Sequence, residues 1–149
     1  MCWHAGASIL NFTPMPIITT AEEEFFAGRE TVVGGNSPEG RFVAVFEDDG
    51  DTGYFYALDT QAEGNAIQDA LHIYNANNVT DRARPSMARI GWSQDGLKAV
   101  LLINDYPHAV FDFSARQGRC RTGFPPVAPG GAWSSAGHAW DDAMIALFA

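Results

Sequence analysis

The feature that most constrains this chain is an internal similarity at an offset of 56 residues. Gly35-Asn36-Ser37-Pro38-Glu39-Gly40 aligns with Gly91-Trp92-Ser93-Gln94-Asp95-Gly96. In both copies a short β-type run precedes the turn, Thr31 to Val33 in one and Met87 to Ile90 in the other. A longer apolar run follows, Arg41 to Glu47 and Leu97 to Ile103, and a third strand closes each copy, Tyr54 to Asp59 and Ala109 to Phe113. Ser-x-(Glu/Asp)-Gly is turn chemistry, because short polar side chains bond the local backbone and glycine supplies positive φ. Runs of Val, Phe, Tyr, Ile and Leu fit a pleated surface. The two apolar runs are hydrophobic at successive positions, which predicts central strands covered on both faces.

Between the copies, Ala66, Ile67, Ala70, Leu71 and Tyr74 recur at helical spacing behind Asn65, a candidate N-cap. The spacing predicts a linking helix near 65–77. A second helix is predicted near 138–148, with Trp140, Met144, Ile145 and Phe148 as its buried stripe and Asp141 and Asp142 in its first turn. Pro16 to Thr20 reads as an edge strand continued by Glu22-Glu23-Glu24. Gln117 to Ala136, rich in Gly, Pro and Ser, reads as surface loop. The expected fold is α+β: an antiparallel sheet of about six strands in two similar three-strand meanders (31–59 and 87–113), with both helices packed on it. A chain of 149 residues fits one domain, 1–149.

Charge narrows the partners. Nine Lys and Arg stand against eighteen Asp and Glu, for a formal net charge of −9. Nucleic acid is not expected, because phosphate binding draws its affinity from a basic surface that this chain lacks. No apolar run approaches the roughly 20 residues that span a bilayer, and residues 1–20 make a poor signal peptide. Two cysteines, Cys2 and Cys120, give no disulfide framework, so a cytoplasmic location is expected.

Two resemblances follow from the motifs. Ser37 to Phe46 with Tyr54 to Asp59, and Trp92 to Ile103, resemble TolB-type β-propeller repeats in their strand–turn–strand shape. A propeller needs at least four blades, so no propeller function is implied. Over most of its length, through Phe46 to Ala57, Asn104 to Phe113 and Cys120 to Pro126, the chain also resembles a family of small bacterial proteins known only as a domain of unknown function. That resemblance implies no activity.

Three candidate features carry chemistry. In Glu47-Asp48-Asp49-Gly50-Asp51-Thr52-Gly53 the alternate carboxylates resemble the opening of a calcium loop. Thr52 stands where that loop needs glycine and Leu58 where it needs glutamate, so a solvated hairpin turn is expected, with Asp49 and Asp51 free to bind a partner. His108 and Asp112 share one face of a strand. With Cys120 as nucleophile between Arg119 and Arg121, they would make a thiol-dependent or hydrolytic site. The histidines at 4, 72, 108 and 138 show no pair at metal-ligand spacing, so no metal or cofactor is expected. Lastly, Phe124 and Trp133 in the C-terminal loop would form a binding surface if exposed.

Acidity, abundant aromatics and the lack of an assembled catalytic motif favour a non-enzymatic protein-binding module, an inhibitor or immunity-type role being one form. A small hydrolase or thiol-dependent enzyme using His108, Asp112 and Cys120 is the alternative. An exposed edge strand would also admit a homodimer.

Overall fold

A computed structural model describes residues 16–127 and 130–148. Cys2, His4 and most of the segment read as a poor signal peptide lie outside the described residues. The described residues form nine strands: β1 (Ile18–Phe25), β2 (Thr31–Asn36), β3 (Phe42–Asp48), β4 (Thr52–Asp59), β5 (Ile67–Asn75), β6 (Ser86–Trp92), β7 (Lys98–Ile103), β8 (Tyr106–Asp112) and β9 (Gln117–Cys120). They make two antiparallel sheets. The first has the order β2-β3-β4-β5 and the second β1-β6-β7-β8-β9. The fold is therefore mostly β, not α+β with two packed helices, and each meander has four strands rather than three.

The predicted linking helix is β5. Ala66, Ile67, Ala70, Leu71 and Tyr74 fit a helical stripe, yet Leu71 and Ile73 alternate inward just as well, and both are buried. An irregularity in the β4–β5 register at Gly53/Tyr54, where Gly53 pairs with Tyr74 and Tyr54 with His72, brings Tyr74 inside as well. So short an apolar run satisfies either period, and pairing with β4 decides it. Asn65 does cap, but an extended chain: its Oδ1 accepts from Ile67 N at 2.9 Å.

The predicted C-terminal helix shrinks to a 3-10 segment, Asp142–Phe148. It cannot begin sooner because the chain at His138 and Ala139 is spent on β9, with Cys120 N donating to His138 O at 2.9 Å and Cys120 bridging to Ala139. Met144 and Phe148 still cover the second sheet, packing on Val100, Leu102 and Val110 with Ile17, Trp140 and Leu147 alongside.

The repeat holds down to single hydrogen bonds. Phe42 N donates to Ser37 Oγ at 3.2 Å, as Lys98 N donates to Ser93 Oγ at 3.0 Å. Gly40 N and Gly96 N each return to the serine carbonyl, at 2.8 and 2.9 Å. Both glycines sit at positive φ, +85° and +74°, as that turn requires.

The meanders stack front to back rather than face to face. Phe46 lies between the sheets, whereas its counterpart Leu102 faces away from the first sheet. Val45 faces outward, whereas its counterpart Leu101 is fully buried between the sheets. The front of the first sheet (Val33, Ala44, Phe46, Phe55 and Ala57) thus buries against the back of the second (Ile90, Ala99, Leu101, Ala109 and Phe111). Gly35 makes the approach possible: a Cβ there would come within 2.9 Å of Ile90 Cγ2. The front of the second sheet is sealed by the C-terminal segment, so β7 is covered on both sides as expected. No segment among the described residues covers the back of the first in that way. On β3 the outward residues Val43, Val45 and Glu47 are only half-buried, which corrects the expectation that both apolar runs are enclosed.

Candidate functional site

Two places concentrate chemistry: a cleft at one end of the stack, and the outer back of the first sheet.

The cleft has a volume of about 760 Å³, and its lining includes Arg41, Asp59, Gln68, Asp69, Trp133 and His138. At its mouth Arg41, just before β3, forks onto Asp59, at the end of β4, with two bonds of 3.1 Å. That guanidinium holds the Asp59 carboxyl below its ordinary range. The deep wall is a buried network. Asp69 accepts from Ser134 Oγ at 2.5 Å and from His138 Nε2 at 3.0 Å, while His138 Nδ1 lies 2.6 Å from Pro125 O. Gly118 N donates to Ser134 Oγ at 2.8 Å. Both neighbours of the His138 ring are acceptors, so only an imidazolium satisfies them together. Burial pulls the His138 pKa down, but the bonds to Asp69 and Pro125 outweigh it and leave it above the ordinary value.

Ser, Asp and His are not arranged here as a nucleophilic triad. The serine gives its proton to the carboxylate rather than to the histidine, and it is buried. The arrangement instead clamps the C-terminal loop to β5. Sequence reasoning missed Asp69, Ser134 and His138, which share no local motif. A buried acid and histidine 69 residues apart become visible only once β5 is a strand.

His108, Asp112 and Cys120 do not converge. Cys120 pairs with Ala109 and packs in the core between the sheets. His108 and Asp112 flank Val110, which faces the opposite side of the second sheet. Burial draws the His108 pKa down to about 3, and Arg121 pushes it the same way. Burial also raises the Cys120 pKa, against the contact with Thr122 Oγ1. Asp112 Oδ1 accepts from Ser114 N and Ser114 Oγ, stabilising the β8–β9 turn.

The acidic turn is self-satisfied. Asp49 Oδ1 accepts from Asp51 N and Thr52 N, both at 2.9 Å, and these backbone bonds lower its pKa. Asp48 points inward, accepting from Gly28 N and Gly50 N at 2.8 Å and from Tyr74 Oη at 2.5 Å. Among the described residues no three His, Cys, Asp or Glu side chains gather around a metal position. Asp51 remains exposed beside the β3–β4 turn.

Of the two aromatic candidates, Trp133 is pinned edge-on to Phe111 and Phe113. Phe124 is 57% exposed and leans on His72. It extends the back of the first sheet, where Glu47, Tyr54 and His72 lie side by side and Val45, Tyr56 and Ala70 form the next row. Tyr54 and Tyr56 stack at 5.9 Å, and Tyr56 Oη lies 3.4 Å from Glu47 Oε1. Val32 is 64% exposed and Ile67 46%.

The chain matches a family model described as "Uncharacterized protein conserved in bacteria (DUF2251)" over residues 25–149. It is a member of the DUF2251 family. The expected membership of a bacterial domain-of-unknown-function family is thereby shown. A Haemophilus influenzae relative described as "Uncharacterized protein" is 43% identical to this DUF2251 chain over 107 residues, 71% of the chain and 66% of that protein's own length. No solved structure matches the chain. No helix among the described residues of this DUF2251 member is long and apolar enough to cross a membrane.

Proposed function

We propose that the protein is a non-enzymatic binding module that holds another protein against the back of its first sheet. One observation carries this reading: of the two outer faces of the stack, one is sealed by Met144 and Phe148, and the other leaves Val32, Tyr54, Tyr56, Ile67 and Phe124 in contact with solvent. Extended apolar and aromatic faces of this kind mark interaction surfaces. Tyrosine suits such a face because it supplies large area with a polar tip.

The acidic turn gives the face its sign. Glu47, Asp49 and Asp51 lie at the end of the sheet that carries Tyr54, so the fitting partner presents an apolar patch flanked by Lys or Arg. Such a partner in the bacterial cytoplasm is consistent with an inhibitor or immunity-type role. The thiol-dependent alternative finds no support in a buried thiol separated by a sheet from its supposed base.

The test is capture from bacterial lysate by immobilised wild-type protein and by the double variant Tyr54→Ser, Tyr56→Ser. A protein retained by the wild type, lost with the double variant and released by salt supports the reading. Equal recovery by both baits, or recovery of nothing specific, contradicts it.

A further inference from the structure

Among the described residues, three of the four edges of the two sheets are protected. On β5, His72 N donates to Phe124 O at 2.9 Å and Thr122 Oγ1 donates to His72 O at 2.7 Å. On β9 the chain at His138 and Ala139 takes the edge. β1 carries Glu22, Glu23 and Glu24, the kind of charge that discourages strand addition. The fourth edge, β2, runs Thr31-Val32-Val33-Gly34-Gly35-Asn36 with no charge and no proline. Val32 stands 64% exposed on it.

The repeat shows what such an edge accommodates. β6 is the counterpart of β2, and its outer edge is filled by β1, paired antiparallel from Ile18↔Trp92 to Phe25↔Ser86. Among the described residues the first sheet has no such fifth strand. Gly35 of β2 lies against both Thr20 of β1 and Ile90 of β6, so β2 sits over the seam between those strands. A strand added beside β2 would lie over β1. The residues of β1 on that side are those opposite Ile90 and Ala88, namely Ala21 and Glu23. Glu22 points the other way and pairs with Arg89 at 2.8 Å. Glu23 is exposed and has no basic partner among the described residues.

We propose that the free edge of β2 accepts an extended segment of a partner protein as a fifth strand, with a Lys or Arg set over Glu23 and apolar side chains beside Val32. Main-chain bonds would supply affinity and the alternate side chains specificity, as in other strand additions. The inference rests on the protein-binding reading and uses the edge that adjoins that face, sharing only Val32 with it, so the tyrosine variant lets the two fail separately.

The probe is a capped hexapeptide of alternating Val and Lys, compared with its Val and Glu analogue, added to the full chain and followed by amide hydrogen exchange. The Lys peptide is expected to slow the outward amides of Thr31–Asn36 by about tenfold or more, and the Glu peptide to do nothing. Glu23→Lys reverses the preference between the peptides, which a general loss of folding cannot do. Protection by the Lys peptide must persist in the Tyr54→Ser, Tyr56→Ser variant. Failure of both peptides to protect β2 overturns the proposal. So does protection that rises with protein concentration alone, which would assign the edge to a second copy of the chain.

Discussion

His138 donates to the carboxylate of Asp69 across 69 residues of sequence, and its other ring nitrogen faces the carbonyl of Pro125. This pair ties the C-terminal loop to β5 and forms the deep wall of the cleft. Because the folded-state pKa of His138 is raised above the ordinary 6.5, its contribution to stability is complete below that value. It is lost as pH rises through the raised pKa. The melting temperature is therefore expected to fall as pH rises from about 6 to 8. Arg119 acts weakly against the protonated ring, and Asp69 favours it. In His138→Gln that part of the pH dependence should vanish. NMR titration of the ring protons reads the same group directly.

Removing the acid is more damaging than removing the proton. Asp69→Ala leaves Ser134 and His138 buried without their acceptor, a loss of about 3 kcal/mol by analogy with broken buried pairs. Urea unfolding at pH 6 measures it. A loss no larger than that of an exposed control such as Gln61→Ala would mean that the clamp contributes nothing.

Tyr74 and Asp48 make the corresponding tie inside the first sheet, at 2.5 Å. Burial and then the Asp48 bond hold the phenol well above its ordinary pKa. Tyr74→Phe keeps the ring and removes the bond, and should cost about 1.5–3 kcal/mol, the range for hydrogen bonds to charged groups. Chemical denaturation with an unchanged m-value is the check.

The thiol of Cys120 is buried and its pKa is raised. Iodoacetamide at neutral pH should leave it unmodified in the native protein and label it in denaturant, with peptide mapping to separate it from Cys2. Rapid native labelling would restore a reactive thiol.

Much of the strand pattern was legible in the sequence, and the reasons are local. Ser37 and Ser93 each close a turn with the next glycine, and the strands on either side follow from their apolar runs. Glu22 to Glu24 read correctly as an edge because charge is tolerated there. What could not be read was set by distant partners. Leu71 and Ile73 become strand residues because β4 lies beside them. Met144 and Phe148 cover the second sheet without a regular helix because His138 and Ala139 are held on β9. Asp69, Ser134 and His138 meet only after the loop folds back. The difference between Val45 and its counterpart Leu101 depends on how the sheets stack, and spacing along one strand carries no record of that.

The front-to-back stack has one outer face sealed by the C-terminal segment and the other left open by the described residues, and the proposed binding face depends on it. The direct measurement is the stability of Val45→Ser against that of Leu102→Ser, by urea unfolding. Val45 faces outward from the first sheet and Leu102 is buried under the C-terminal segment. Val45→Ser should cost less than about 1 kcal/mol, as an open strand position does, and Leu102→Ser about 3 kcal/mol or more, as loss of a buried leucine does. Similar losses at both positions would mean that the back of the first sheet is covered, and would contradict the account.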